Sequence, residues 1–379
     1  MSHAPTSALE RRHERIRENL TSGGFDALVV TSLPNVLYLT NFTGSSAIVV
    51  VTADRLSFLT DFRYLTSMEQ ARGRDHACPN LELVRVEGSY DAALAAHLGS
   101  LACRRIGFEA AHLSVSRHAW LDRTLGQRDH APELVATEGV IERARLTKDE
   151  YEIATLREAA RRLSTVARGV FDEIRPGRSE RDVAFAVDAR LHDAGFSKPA
   201  FDTIVASGPN AALPHAHPGE RTFAEGDLVV LDFGGIYDSY CVDLTRTVAV
   251  GKADQRARDV HAAVRQAHDR AIAAVSPGRS RFDIDAAARE TLGTHGLADA
   301  FGHGTGHGLG IEVHEDPRIT RRRPDVDTQH EAVAPGMVFT IEPGAYLAGW
   351  GGVRIEDDVL VTAEGAEVLT DVTTELLEI

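Results

Sequence analysis

The chain reads Pro176-Gly177-Arg178-Ser179 at one point and Pro277-Gly278-Arg279-Ser280 at another, 101 residues further on. A helical stretch precedes each copy, and a second helical stretch follows it and ends near a glycine, Gly195 in the first case and Gly296 in the second. A repeat of this length, with two helices in each copy, indicates an internal duplication. The sequence therefore predicts two structural units with the same plan.

Apolar runs that carry acidic residues follow each predicted helix pair. After the first pair, Asp232 ends the run Leu228-Val229-Val230-Leu231, and Asp243 lies on the returning segment; after the second pair, Glu342 and Glu356 occupy comparable positions. These runs predict two β hairpins, residues 228–232 with 242–248 and residues 338–342 with 353–361. Two copies of helix, helix and hairpin predict an α+β domain with pseudo-twofold symmetry and a curved, mainly antiparallel sheet covered by helices on one face.

The part of the chain before the duplication shows a different rhythm. Helix-like segments at 9–20, 92–101 and 115–125 alternate with strand-like segments at 27–30, 48–51, 56–59, 83–86, 105–108 and 134–136. This alternation is typical of an α/β domain. We therefore expect a smaller α/β domain over residues 1–138 and a second domain over residues 139–379.

Composition narrows the possible partners of the protein. The net charge of −15 would repel a phosphate backbone, so we expect no nucleic-acid partner. No apolar run is long enough to cross a bilayer and the first residues lack a secretory signal, so we expect no membrane association and a cytoplasmic location. The 3 cysteines are scattered, which excludes a CxxC metal site and leaves oxygen and nitrogen as metal ligands.

The acidic residues of the two hairpins are the candidate metal ligands. A carboxylate in apolar surroundings is costly unless it is paired, hydrogen-bonded or bound to a metal. In an antiparallel hairpin Asp232 and Asp243 can project from one face, although strand-end aspartates also occur in ordinary turns. Between the hairpins lies a glycine-rich run, residues 301–310, that places His307 where the backbone can approach a crowded site. No Lys-Ser or Lys-Thr follows this run, as a phosphate-binding loop would require.

Charge favours two cations over one. Four carboxylates around a single divalent ion would leave a large negative excess, whereas two divalent ions balance them. Oxygen ligands with one imidazole suit Mn²⁺ best, with Co²⁺ or Zn²⁺ as alternatives. Such an ion pair lowers the pKa of a bridging water and polarises a carbonyl, so the expected reaction is amide hydrolysis by a metal-bridged hydroxide.

The motifs resemble those of the pita-bread metallopeptidases, the family of methionine aminopeptidase, aminopeptidase P and prolidase. The resemblance lies in Asp232-Phe233-Gly234-Gly235, Asp243-Leu244-Thr245-Arg246-Thr247, residues 303–310, Thr340-Ile341-Glu342-Pro343-Gly344 and residues 352–357. An N-terminal α/β domain of this size is similar to that of the aminopeptidase P and prolidase branch.

The resemblance implies a role for each matched residue. It implies that Asp232 and Asp243 share one metal ion and that Asp243, His307, Glu342 and Glu356 hold the other, with Asp243 and Glu356 bridging. Glu342 is implied to be the general base as well, and Arg354 to orient the carboxylates. The remaining implied residues face the substrate: His215 and His314 in proton transfer and oxyanion stabilisation, and His303 and Arg318 in substrate binding.

The implied activity is that of an Xaa-Pro aminopeptidase, which acts on proline-containing peptides and forms a homodimer. An Xaa-Pro dipeptidase, or prolidase, is the alternative in the same class. A non-catalytic binding protein and a creatinase-like amidinohydrolase that works without metals are further alternatives on this fold. The complete set of metal ligands argues against these last two.

Overall fold

A computed structural model describes residues 3–323 and 331–379. The chain divides into two compact units, one ending at Arg145 and the other beginning at Leu146. The domain boundary that we propose from the sequence, after residue 138, lies a few residues earlier, ahead of a short helix at Glu142–Leu146. None of the helices in the described part of the chain combines the length and apolar character that a membrane span requires.

The first unit is built on one mixed sheet. Its helices are α1 Thr6–Ser22, α2 Leu33–Thr40, α3 Phe62–Ala71, α4 Tyr90–Leu98, α5 Val115–Leu125 and α6 Glu142–Leu146, and its strands are β1 Ala27–Val30, β2 Ile48–Thr52, β3 Leu56–Thr60, β4 Leu81–Arg85, β5 Arg105–Glu109 and β6 Glu133–Thr137. The sheet order is β4-β3-β2-β1-β5-β6. The predicted α/β domain is confirmed, but α2 and α3 were not predicted. Helix α2 has only 8 residues and carries Pro34 in its first turn, so it offers no sustained helical period.

The second unit contains the two predicted helix pairs and a set of antiparallel strands. Its helices are α7 Glu150–Val170, α8 Glu180–Asp193, α9 Gln255–Ala274 and α10 Arg281–Thr294, and short 3₁₀ helices lie at Phe171–Glu173, Gly208–Ala212 and Ala298–Ala300. Its strands are β7 Lys198–Pro199, β8 Ile204–Ser207, β9 Leu228–Tyr237, β10 Tyr240–Ala249, β11 Gly306–Gly308, β12 Glu315–Ile319, β13 Val338–Ile341, β14 Gly344–Leu347, β15 Gly351–Arg354, β16 Asp357–Val361 and β17 Ala366–Val368.

The duplication predicted from the two Pro-Gly-Arg-Ser turns is present in the structure. In the first copy the Gly177 N–H donates to the Phe223 carbonyl at 3.1 Å, and in the second the Gly278 N–H donates to the Val333 carbonyl at 2.8 Å. A serine then caps the next helix in both copies, since the side chains of Ser179 and Ser280 accept from the first turns of α8 and α10. The two halves therefore share a turn hydrogen bond and a serine cap as well as their order of elements.

Each half of the second unit has its own apolar core. Residues of α7 and α8, such as Leu163, cluster with β9 and β10 residues such as Leu231. Residues of α9 and α10, such as Val264, cluster with residues of the second hairpin such as Phe339. Because strand side chains alternate between faces, burying these residues against helices turns the intervening ones to the opposite face. The acidic residues of the hairpins lie at intervening positions.

The second hairpin is not the simple pair of strands that the sequence predicted. Strand β13 pairs with β16 and β14 with β15 in one continuous register, with Ile341 opposite Asp357 and Gly344 opposite Arg354. The ladder is interrupted between these pairs, because Pro343 has no N–H and the Glu342 N–H donates instead to the Thr305 carbonyl at 2.7 Å. The register places Glu342 opposite Glu356 in this opening.

Arg246 ties the two hairpins together from within the core. Its side chain is 3% exposed and pairs with the carboxylate of Asp357 at 2.7 Å. The same guanidinium donates to the carbonyl of Glu356 at 2.6 Å and to those of Val372 and Thr373 at 2.7 and 2.9 Å. Arg246 therefore fixes the main chain at Glu356, the start of β16 and the segment after Thr370 to strand β10.

We expect Arg246→Met to reduce the free energy of unfolding by about 3–5 kcal/mol, because the change leaves the carboxylate of Asp357 buried without its guanidinium. Urea denaturation of the metal-free protein measures this loss. Arg157→Met is the matched control: it breaks the exposed pair with Glu367 and should cost less than about 1 kcal/mol. Equal losses in the two variants would contradict the assigned role of Arg246.

Candidate metal centre

The first hairpin directs two carboxylates to one face. In the β9–β10 ladder Asp232 lies opposite Thr245, and Asp243 lies opposite Gly234. Directly opposed residues share a face and so do residues two apart on a strand, so Asp232 and Asp243 project to the same side. They are 9% and 4% exposed. The arrangement expected from the sequence is the one that the structure shows.

The second hairpin joins the first at Glu356. An isolated antiparallel bridge pairs Thr245 with Glu356, and the Thr245 hydroxyl donates to Glu356 Oε2 at 2.6 Å. Thr245 thus orients the carboxylate of Glu356 toward the face that carries Asp243. The alternation along β10 places Thr245 two residues beyond Asp243, a signal from which its role could have been found.

His307 reaches the same place from β11, between two glycines. A Cβ atom at Gly306 would overlap with the carbonyl of Thr340, and one at Gly308 would overlap with the carbonyl of Asp316. The neighbouring strands therefore approach so closely that only glycine fits on either side of the histidine. This packing explains the glycine-rich run in which His307 lies.

The structure brings three of the five predicted ligands into one compact group. One potential ligand atom from each of Asp243, His307 and Glu356 lies within 4.8 Å of the others. Glu342 adjoins them, with its Oε1 atom 3.7 Å from His307 Nε2. Asp232 lines the same cavity, which has a volume of about 520 Å³, and its Oδ2 atom is paired with the guanidinium of Arg354.

The chemistry of this group fits divalent cations. Asp232 Oδ1 and Asp243 Oδ1 are buried and have no hydrogen-bond partner among residues 3–323 and 331–379. An ionised oxygen is rarely left in this state unless a cation binds it. Carboxylates with one imidazole make a ligand set for a hard or borderline divalent ion.

The electrostatics of the metal-free centre are repulsive. Burial, followed by the charges of Asp232 and other carboxylates, raises the pKa of Asp243 well above its usual range. Burial also raises the pKa of Glu342, to about 8, against the opposing charge of Arg354. Burial, followed by the charges of Asp243 and Glu342, raises the pKa of Glu356. The protein thus concentrates groups that favour protonation in the absence of cations and ionisation in their presence.

His307 has the protonation state that a ligand needs. Burial, with a smaller effect of the neighbouring His314, lowers its pKa to about 3. Its Nδ1 atom lies 3.1 Å from the Gly308 carbonyl, which accepts a hydrogen bond from a protonated Nδ1 and leaves Nε2 free of a proton. The Nε2 atom is the one that faces Asp243 and Glu342.

The other predicted histidines line the cavity in different surroundings. His215 and His314 are exposed to it, and the ring of His314 packs edge-on against that of His307 at 4.4 Å between centroids. His303 is half-buried, with Nδ1 2.8 Å from the Gly304 carbonyl and Nε2 2.9 Å from the Tyr346 hydroxyl. Because protein groups occupy both of its ring nitrogens, His303 is less available to a substrate than His215 or His314.

Two arginines complete the predicted set. Arg354 is buried and donates to Asp232, to the Tyr346 hydroxyl at 2.8 Å and to the Pro214 carbonyl at 3.3 Å. Arg318 lies opposite His307 in the β11–β12 ladder and lines the cavity. Each of the ten residues predicted to act at the site therefore borders one cavity. Their roles stay predictions.

Several residues in or beside the cavity were not identified from the sequence. Tyr346 links His303 to Arg354, and no local pattern predicts that link because its partners come from distant parts of the chain. Further residues line the cavity without a predicted role: Phe201, Asp202, Ile204, His217, Thr320 and Arg323. Their segments lie outside the duplicated hairpins, whose patterns carry the predicted ligands.

Comparison with known proteins finds a matching family model for each of the two units. A model of metallopeptidase family M24 matches residues 154–363, and a model of the creatinase/prolidase N-terminal domain matches residues 12–147. An Xaa-Pro dipeptidase from Pyrococcus horikoshii is 30% identical over 370 residues, which cover 97% of this chain and 99% of that protein.

Solved structures agree with these matches. The structure of an Xaa-Pro dipeptidase from Bacillus anthracis is 34% identical and superposes with a TM-score of 0.90, covering 98% of this chain and 100% of that one. An X-Pro aminopeptidase from Thermotoga maritima is 30% identical with a TM-score of 0.85, covering 97% and 100%. The pita-bread architecture expected from the motifs is confirmed.

We expect Asp243→Asn to weaken Mn²⁺ binding by more than about 100-fold, because the amide cannot supply an ionised oxygen. This loss exceeds the roughly 10–100-fold typical of mutating a residue that only hydrogen-bonds to a metal ligand. Titration calorimetry measures the affinity. The metal-free variant should unfold at the same temperature as the parent or higher, since a neutral amide replaces a buried carboxyl whose ionised form is repelled by its neighbours. Asp259→Asn, an exposed change on α9, should leave Mn²⁺ binding unaltered.

The raised pKa of Glu342 predicts how the stability of the metal-free protein depends on pH. A carboxyl whose pKa is about 8 when folded and near 4.5 when unfolded contributes stability below pH 4.5, and this contribution is lost as the pH rises through 8. The melting temperature of the metal-free protein should therefore fall by roughly 5 °C between pH 5 and pH 8. Scanning calorimetry tests this, and an unchanged slope in Glu342→Gln would contradict it.

Proposed function

Because the chain belongs to metallopeptidase family M24 and is a hydrolase of its Xaa-Pro peptidase group, we propose that it is an Xaa-Pro dipeptidase. Its substrate in this proposal is a dipeptide with proline second, and its products are the free residue and proline. Dipeptidases among the relatives support this choice over the aminopeptidase that the motifs first suggested. The observation that carries the proposal is the position of Arg318 beside the ligand group.

We propose that two divalent ions, most simply Mn²⁺, are held by Asp232, Asp243, His307, Glu342 and Glu356. When bound, such ions activate water and polarise the carbonyl of the scissile bond. The unpartnered buried oxygens of Asp232 and Asp243 support this ligand set. Arg354, paired with Asp232, holds that carboxylate in position and offsets part of the charge of the group.

The chain's own side chains move the protons in this proposal. Glu342 borders the cavity next to His307 and takes a proton from the attacking water. His215 and His314 face the cavity from two separate segments, where one can donate to the developing oxyanion and the other can deliver a proton to the proline nitrogen. That nitrogen must be protonated to leave, because an amide anion is too strong a base to be expelled.

Arg318 accounts for the preference for a dipeptide. It is directly opposite His307 in the ladder, so the two side chains share a face and border the same cavity. Arg323 lines the cavity as well. A guanidinium beside the ligand group is placed to bind the carboxylate of a proline that directly follows the scissile bond. A longer peptide has an amide there and loses the charge-assisted contact.

An Xaa-Pro aminopeptidase is the second candidate. The similarity to the Thermotoga maritima X-Pro aminopeptidase favours it, since that structure matches almost the whole chain. The cavity, at about 520 Å³, is also larger than a dipeptide alone needs to fill. The two candidate activities use the same catalytic groups. They differ in whether the enzyme accepts a substrate with further residues after the proline.

We expect the Mn²⁺-loaded protein to hydrolyse Ala-Pro and to leave the tripeptide Ala-Pro-Ala intact. Arg318→Met should raise KM for Ala-Pro by about 10–100-fold, because a hydrogen bond to a charged carboxylate contributes about 1.5–3 kcal/mol. Hydrolysis of Ala-Pro amide, which lacks the carboxylate, should be slow in the parent and unaffected by the substitution. Steady-state assays that detect released alanine, the product common to the three substrates, measure all of these reactions.

The neighbouring Arg322→Met is the control for charge, since Arg322 pairs with Glu331 and does not border the cavity. It should change KM by less than about twofold, as expected for an exposed pair. Cleavage of Ala-Pro-Ala as fast as Ala-Pro would replace the dipeptidase by the aminopeptidase. Inactivity on both peptides with metal bound would contradict the Xaa-Pro assignment.

A further inference from the structure

A fully buried carboxylate lies at the start of helix α8, away from the metal ligands. Glu180 is 0% exposed. Its Oε1 atom accepts from the Ser207 N–H at 2.8 Å, from the Ser207 hydroxyl at 2.7 Å and from the Asn210 side-chain amide at 3.0 Å. Its Oε2 atom accepts from the Gly219 N–H at 3.1 Å. These bonds satisfy a carboxylate that would otherwise be costly to bury.

The partners of Glu180 are the two ends of one segment, residues 207–219, which we call the histidine loop. It leaves strand β8 at Ser207 and contains His215 and His217, which both line the cavity. One carboxylate therefore closes the base of the loop.

His215 itself has little to hold it in place. Its ring is exposed and makes no hydrogen bond to any residue in the described part of the chain. The position of the ring is therefore set by the main chain of the histidine loop. The middle of the loop has one link to the metal ligands, since the Pro214 carbonyl accepts from Arg354, which also pairs with Asp232.

The second half of the duplication uses the equivalent position in a similar way. Arg281 lies 101 residues after Glu180, is also buried, and is also the first residue of its helix. Its guanidinium donates to the main-chain carbonyl of Arg318 at 3.0 Å, on the strand that follows His314. In each half, the first residue of the second helix thus reaches the main chain of a segment that borders the cavity.

We propose that Glu180 is a positioning residue for the peptidase reaction: by closing the base of the histidine loop it holds His215 in the place from which it acts on the substrate. This inference rests on the proposed function. Glu180 does not touch the cavity, so its effect on turnover passes through His215. The metal ions should not depend on it, because none of the five proposed ligands lies on the histidine loop.

The carboxylate, rather than a polar side chain in general, is what this role requires. Every group that contacts Glu180 is a donor. A glutamine at this position keeps one oxygen acceptor, but its NH₂ group then faces another donor. That donor is either the Gly219 N–H or the N–H and hydroxyl of Ser207. Glu180→Gln therefore preserves shape and opens one end of the loop.

The test is a double-mutant cycle on the Mn²⁺-loaded protein with Ala-Pro as substrate. Glu180→Gln should lower kcat/KM by about 10–100-fold, the scale expected when a catalytic group shifts by about 1 Å. In a His215→Ala background the same change should lower it less than about twofold, because the residue through which Glu180 acts is already missing. Mn²⁺ affinity, measured by calorimetry, should stay within about twofold of the parent.

Glu152→Gln is the matched control. Glu152 is also buried and accepts from the Asp149 N–H and the Tyr240 hydroxyl, but it has no contact with the histidine loop. It should lower the melting temperature while leaving kcat/KM within about twofold. If Glu180→Gln does not fold, Asn210→Ala can replace it in the same double-mutant cycle. This change removes the two bonds of the Asn210 amide to Glu180 and keeps the carboxylate with its main-chain donors.

Two results would overturn the inference. One is an equal loss of kcat/KM from Glu180→Gln with and without His215, and the other is a loss of Mn²⁺ affinity of the same size as the loss of activity. Hydrogen exchange of residues 207–219 separates this inference from the proposed function. If the parent cleaves no Xaa-Pro substrate, the proposed function fails. Faster hydrogen exchange of residues 207–219 in Glu180→Gln would still show that Glu180 holds the histidine loop. Unchanged exchange would refute that role.

Discussion

Repulsion among the carboxylates that two hairpins direct into one buried cavity is the constraint on which the second unit depends. Burial, followed by neighbouring carboxylates, raises the pKa values of Asp243 and Glu356 well above their usual range. Such a group is tolerated only if it is protonated or neutralised by cations. The guanidinium of Arg354 offsets part of the negative charge by pairing with Asp232. One buried oxygen each of Asp232 and Asp243 is left without a hydrogen-bond partner among the described residues.

The duplication is what allows this concentration of charge. One hairpin offers a single face with two carboxylates, whereas two hairpins joined edge to edge offer four. The junction is specific: Thr245 pairs with Glu356, and the Thr247 hydroxyl donates to the Arg354 carbonyl at 2.9 Å. Separate apolar cores behind each hairpin bury the opposite faces. The energy that holds the acidic face together therefore comes from helices packed on its far side.

The parts of the site that follow from local patterns could be predicted, and those that follow from distant contacts could not. Alternation along a hairpin with a short turn fixes which residues share a face, so Asp232 and Asp243 could be placed from the sequence. The opening of the ladder at Glu342 depends on the carbonyl of Thr305, and the role of Glu180 depends on main-chain groups 27 to 39 residues away. No local period contains that information.

The two anchor positions show what the duplication has kept and what it has changed. Ions must be held to within a fraction of an ångström, and the proposed ligands lie on or beside paired strands, whereas His215 lies on a loop that needs an anchor. The histidine loop presents N–H donors at Ser207 and Gly219, so its anchor must be an acceptor. Strand β12 presents the carbonyl of Arg318, so its anchor must be a donor. Glutamate at 180 and arginine at 281 are opposite in charge because the backbone groups they hold are opposite in polarity, while the place of the anchor in each repeat is the same.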